Sequence, residues 1–114
     1  EGIYLTQPVF VEDLSDTMLD CVDKAAGFQQ IFCIGGPEIM ENRRYYEIMG
    51  ELLGTKVVIE EIPLHGYFDG HPEFHGHLCH RAYDLSKLRN AGIRAPETSF
   101  KEGMRIHLKS LGYL

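Results

Sequence analysis

The sequence predicts a small α/β domain, a mixed sheet with flanking helices, and three observations carry that expectation. Apolar residues recur at helical spacing within residues 14–25, 45–53 and 100–111, short runs rich in Val, Ile and Phe separate them, and Gly or Pro marks the changes between them. With 114 residues, 44% of them hydrophobic and 25% charged, the chain is sized for one core and reads as a single domain over 1–114.

Residues 9–11, Val-Phe-Val, form the first predicted strand. Asp13 then serves as candidate N-cap of a helix that stops at Gly27 and buries Leu14, Met18, Val22 and Ala25. "QIFCI" packs apolar residues without alternation, as a strand covered on both faces does, usually in a parallel sheet. Gly35, Gly36 and Pro37 end it. From Glu38 the residues Tyr45, Ile48, Met49, Leu52 and Leu53 follow helical spacing, and Gly54 supplies the stop. "KVVIEEIPL" returns to strand chemistry. The glycines and proline of "LHGYFDGHPEFHGHLCHR" make that stretch an irregular loop. Asp84 caps a short helix through Leu85, Leu88 and Ala91 that ends at Gly92. Ser99 and Glu102 form a capping box for a last helix with Phe100, Met104, His107, Leu108 and Leu111 on one face.

A net charge of -6 with scattered Lys and Arg argues against a nucleic-acid surface. No apolar run reaches the roughly 20 residues that span a bilayer, and no signal-peptide pattern opens the chain. Three cysteines, Cys21, Cys33 and Cys79, leave an odd count, and the first two fall in apolar stretches. A cytoplasmic, reducing setting is the expectation.

The chemistry-bearing residues cluster late in the chain. His65, His71, His75, His77, Cys79 and His80 could supply imidazole and thiolate to a tetrahedral zinc ion, yet zinc motifs draw paired ligands from a turn and a helix, whereas these share one irregular loop. The alternatives are a divalent-metal site and a solvated polar loop, and no resident metal is expected. Tyr83 and Lys87 have Tyr-x-x-x-Lys spacing, but that proton-transfer pair needs both side chains one turn apart on one helix, and Asp84 as N-cap leaves Tyr83 outside. Tyr83 is expected to be buried at a strand end and Lys87 exposed on a short helix. "IGGPE" lacks both the spaced glycines of a dinucleotide turn and the lysine of a P-loop, so it reads as structural.

Over nearly its whole length the chain resembles the C-terminal part of the extended short-chain dehydrogenases, the NAD-dependent epimerase/dehydratase family that acts on nucleotide sugars. "PVFVEDLSDTML" is similar to the family's "hV-x-D-hA" strand and helix, and "FQQIFCIGG" to its "yNigg" strand. "AYDLSKLRNAGIRAP" resembles its "yD-x-SK-x-r-x-lG-x-x-P" block, and "SFKEGMRIHL" the start of its closing helix. The resemblance implies the substrate-side, C-terminal portion of a Rossmann-type enzyme, with NAD or NADP and all catalytic residues on an N-terminal domain outside these residues. It implies no cofactor on this chain and no turnover by it alone. The partners implied are that missing domain and a small-molecule substrate such as a nucleotide sugar, with no nucleic acid and no membrane.

In the family two arginines commonly hold the substrate diphosphate. The corresponding positions fall near Thr6 and near Glu73 and Phe74, where no arginine stands. His80 and Arg81, just before Tyr83, are the expected substitutes and the candidate substrate-binding residues. Since "QIFCI" lacks the cover a second domain would give, the chain is expected either to self-associate into a homo-oligomer or to form a small mixed sheet of its own. The reading from a different class is a stand-alone α/β module that binds a divalent metal through its histidine loop.

Overall fold

The computed structural model describes residues 4–22, 24–74 and 79–114, all but the side chains of Leu64 and His65. Among them the chain forms a small α/β structure of five α-helices and a two-stranded antiparallel sheet. Strand β1 is Leu5–Thr6 and β2 is Met40–Glu41, paired Leu5 to Glu41 and Thr6 to Met40. The helices are α1 Val11–Val22, α2 Asn42–Leu53, α3 Leu64–Gly70, α4 Ser86–Asn90 and α5 Phe100–Ser110. No helix of the described residues is long and apolar enough to cross a membrane.

Helix α1 begins earlier than its predicted cap. The Leu14 amide donates to the Phe10 carbonyl at 3.0 Å, so the helix absorbs Val11 from the expected strand at residues 9–11. Asp13, inside the first turn, caps nothing of its own helix. Its carboxylate instead accepts from the Glu97 amide at 3.0 Å, the Thr98 amide at 2.7 Å and the Thr98 hydroxyl at 2.9 Å. One and two turns on, Asp16 pairs with the Arg94 guanidinium at 2.8 Å and Asp20 accepts from the Arg94 amide at 2.6 Å. This acidic ridge sets the rotation of α1 and overturns its predicted buried stripe. Thr17 is fully buried, with its hydroxyl donating to the Asp13 carbonyl, and Leu14 and Cys21 are half-buried, whereas Met18, Val22 and Ala25 are exposed.

Helix α2 starts at Asn42 rather than at Glu38, because residues 40–41 are drawn into the sheet. Glu38 instead accepts from the Phe100 amide at 2.8 Å, satisfying a donor that the first turn of α5 leaves without an intrahelical partner. Ser99 caps α5 as predicted, accepting from the Glu102 amide at 3.3 Å. The reciprocal half of the box is lost, since the Glu102 carboxylate binds Arg105 at 2.6 and 2.9 Å. The predicted stops at Gly54 and Gly92 hold: both adopt φ above +60°, which a Cβ disfavours, and backbone bonds from Thr55 to Gly50 and from Ile93 to Leu88 close the helix ends.

The core gathers Ile48 of α2, Leu85, Leu88, Ile93, and Phe100 and Leu108 of α5. The Tyr45 and Phe100 rings meet at 4.5 Å. Burying these side chains contributes roughly 1.5–3 kcal/mol each relative to exposure. Leu111 and His107 of the predicted α5 face are exposed.

Two predicted strands do not join a sheet. Residues 31–34 have neither helix nor ladder, and Ile31 is 86% exposed. Residues 56–63 are likewise unpaired, with Val58 86% exposed, and Leu64 already belongs to α3. An apolar run of this kind is stable as a strand only between neighbours, and the described residues offer none at either edge. Conversely, α3 forms inside the expected loop, where Pro63 precedes the first turn and the Tyr67 and His71 rings, four residues apart, stack at 4.4 Å.

Candidate functional site

Residues 80–83 run alongside β1 and Gln7. The Arg81 amide donates to the Leu5 carbonyl at 2.8 Å, and the Leu5 amide donates to Nδ1 of His80 at 3.2 Å. Two residues further along both segments, the Tyr83 amide donates to Oε1 of Gln7 at 2.6 Å. The segment therefore follows β1 in the same direction, on the side opposite β2. Because Nδ1 accepts a backbone hydrogen bond, the neutral His80 ring carries its proton on Nε2 and keeps that N–H as an outward donor. The Tyr4 ring lies 6.4 Å away, tilted by 42°. The Arg81 side chain is exposed and makes no ion pair among the described residues. One N–H and one guanidinium at adjacent positions can bind an anion by charge-assisted hydrogen bonds.

Gln7 holds this corner together. While its oxygen accepts from Tyr83, its Nε2 donates to the Gly36 carbonyl at 2.8 Å, and the Gly36 amide donates to the Gln7 carbonyl at 3.5 Å. Gly35 and Gly36 are buried because residues 7–8 press against them: a Cβ on Gly35 would lie 2.7 Å from the Gln7 side chain, and one on Gly36 would lie 1.8 Å from the Pro8 carbonyl oxygen. The glycines of "IGGPE" thus accommodate the chain itself. They leave no cradle for the pyrophosphate of a dinucleotide, and NAD or NADP has no fit at this turn.

The other late-chain residues fall apart in space. His71 belongs to the aromatic stack on Tyr67, its Nδ1 3.1 Å from the Tyr67 carbonyl oxygen. Glu73 and Phe74, one of the two arginine-equivalent positions, lie in a 3₁₀ turn, Pro72–Phe74. Cys79 is exposed with a free thiol. His75 and His77 lie outside the described residues. Among the described residues no three His, Cys, Asp or Glu side chains gather as a metal ion would require.

Helix α4 begins at Ser86, so Tyr83 precedes it and the Tyr-x-x-x-Lys pair shares no helix. The Asp84 carboxylate accepts from the Ser86 amide at 2.8 Å, which anchors the helix start, and the Ser86 hydroxyl and amide hold its pKa below the ordinary aspartate value. Tyr83 itself is exposed rather than buried, because its backbone and not its ring is what the Gln7 side chain holds. Lys87 sits over the Phe32 ring at 5.2 Å and donates to the Ile31 carbonyl at 3.0 Å.

A cavity of about 280 Å³ opens elsewhere, between residues 8–11 and α5, with Tyr45, Phe100, Met104 and His107 among its lining. Its walls come from three separated segments, so sequence spacing gave no sign of it. His80 and Arg81 do not line it. No protein-family model matches the chain, and neither curated proteins nor solved structures gave a match to it.

Proposed function

We propose that the chain is the substrate-side portion of an NAD- or NADP-dependent epimerase, dehydratase or reductase of the extended short-chain dehydrogenase type. The observation that carries this reading is the juxtaposition of Leu5 with His80 and Arg81. The resemblance puts one diphosphate-binding position near Thr6 and the other near Glu73 and Phe74. The residues read as substitutes for the missing arginines, His80 and Arg81, lie beside Leu5 next to the first of these positions, though His80 is 75 residues from Leu5 in sequence. The unpaired apolar residues 31–34 support the reading as well, since a sheet edge on a nucleotide-binding domain would supply what they lack. In this role His80 Nε2–H and the Arg81 guanidinium contact the diphosphate of a nucleotide sugar in place of the family's arginines. Hydride exchange with the nicotinamide, assisted by a tyrosine base, belongs to residues beyond this chain.

The test is the affinity of the complete encoded polypeptide for a nucleoside diphosphate. Arg81→Ala is expected to weaken it about tenfold or more, the loss of one charge-assisted contact, and His80→Ala by less. An unchanged affinity in both variants would sink the assignment. So would a coding sequence that starts just before Glu1 and carries no G-x-x-G-x-x-G.

A further inference from the structure

We propose that the cavity between residues 8–11 and α5 is a binding site for a small uncharged aromatic molecule with the size and chemistry of a two-ring phenol. Three walls form it: Val9 and Phe10 from the segment leading into α1, Tyr45 from α2, and Phe100, Met104 and His107 from α5. Those walls are fixed by the chain itself. The Asp13 carboxylate ties the start of α1 to Thr98, just ahead of α5, and the Glu38 carboxylate holds the Phe100 amide. Phe10 leans on α5 where Gly103 has no side chain, since a Cβ there would lie 3.0 Å from the Phe10 ring. A site held open in this way needs little ordering when it is filled.

Size, ring packing and charge name the occupant. The cavity measures about 280 Å³, nearly twice the roughly 150 Å³ that admits a single benzene ring, so it matches two fused rings. The Tyr45 and Phe100 rings stand 4.5 Å apart at a tilt of 38°, a packing that a third ring extends, and the Met104 thioether adds a sulfur that favours aromatic neighbours. Among the described residues no Lys, Arg, Asp or Glu lines the space, so a charged ligand would lose its hydration without gaining a counter-charge. Two polar side chains remain for an uncharged hydroxyl. The Tyr45 phenol and the His107 imidazole line the cavity, and no described residue hydrogen-bonds to either. His107 is exposed and therefore stands at the mouth, where the unprotonated nitrogen of its neutral ring accepts from a phenolic O–H while the fused rings fill the apolar depth. His80 and Arg81 line no part of this space, so the inference is independent of the dehydrogenase reading.

Titrating 2-naphthol into the full chain, followed by calorimetry and by two-dimensional NMR, tests the site. The expected result is saturable binding of one equivalent with a dissociation constant below about 1 mM, and shifts centred on the amides of Phe10, Tyr45, Gly103 and Met104. His107→Leu changes an exposed side chain and leaves the fold intact, and it should weaken binding about tenfold, the loss of one hydrogen bond. Met104→Trp fills the space and should abolish binding; should that variant lose its helical circular dichroism, His107→Leu decides the matter. The saturated analogue decahydro-2-naphthol and the anion 2-naphthoate should each bind at least about tenfold more weakly than 2-naphthol. Failure to saturate up to the solubility limit, shifts centred away from the cavity, or unchanged affinity in His107→Leu would each overturn the proposal. So would a saturated or anionic analogue that binds as well as 2-naphthol.

Discussion

Replacing Asp13 by alanine removes the clasp between the start of α1 and the segment that leads into α5. Three donors lose their acceptor: the Glu97 amide, the Thr98 amide and the Thr98 hydroxyl. A hydrogen bond to a charged acceptor contributes about 1.5–3 kcal/mol when buried, and Asp13 and Thr98 are only partly buried, so about 1 kcal/mol each and about 3 kcal/mol in all is the expected loss. With a urea dependence of about 1.5 kcal/mol per molar for a chain of this size, the unfolding midpoint should fall by about 2 M. Thr98→Val removes the hydroxyl bond alone and should cost about 1 kcal/mol. In the double variant the two losses should fall short of additivity by about that amount. A midpoint shift below about 0.5 M for Asp13→Ala, or strict additivity with Thr98→Val, would refute the clasp as a stabilising element.

The same carboxylate gives the protein an acid limb. Burial pulls the Asp13 pKa upward, but the Thr98 amide and hydroxyl, the Glu97 amide and nearby Arg94 outweigh it, and the result lies below the ordinary aspartate value. Asp20 is held low in the same sense, chiefly by the Arg94 amide. A depressed folded-state pKa stabilises above the unfolded value, near pH 4, and that contribution disappears as the pH falls through the folded value. Unfolding free energy should therefore decline from about pH 4 downward, with a shallower decline in Asp13→Asn when urea melts are compared across pH. Gly36→Ala should cost about 3 kcal/mol or prevent folding, since its Cβ would meet the Pro8 carbonyl oxygen at 1.8 Å and neither backbone can yield. Gly66→Ala, in open space on α3, should instead stabilise by about 0.5–1 kcal/mol in urea melts. Gln7→Leu strands the Tyr83 amide and the Gly36 carbonyl and should cost about 2 kcal/mol, with Gln7→Glu intermediate because it keeps the acceptor.

Features set by neighbours in sequence were legible in advance. The left-handed stops at Gly54 and Gly92, the Ser99 cap and the exclusion of Tyr83 from α4 each depend on a few consecutive residues. Apolar periodicity found α1, α2 and α5, because burial of one helical face is written at three- and four-residue spacing. Periodicity did not determine which face of α1 turns inward. Asp13, Asp16 and Asp20 compete with the apolar stripe for that choice, and their partners lie some 75 to 85 residues away.

The site divides in the same way. The residue types of His80 and Arg81, and the lack of arginine near Thr6, are plain in the sequence. Their placement against Leu5, and the role of Gln7 as a bridge between Tyr83 and Gly36, exist only once the chain has folded back on β1. Tertiary structure likewise decided the fate of residues 31–34 and 56–63. Their β-forming composition is a local property, but a strand exists only with a neighbour to accept its backbone hydrogen bonds, and the described residues hold none beside them. The sequence by itself determined the stops at Gly54 and Gly92, the cap at Ser99 and which side chains can carry charge. The fold determined which of those side chains meet, because contacts across long stretches of chain follow from burial and backbone pairing rather than from spacing.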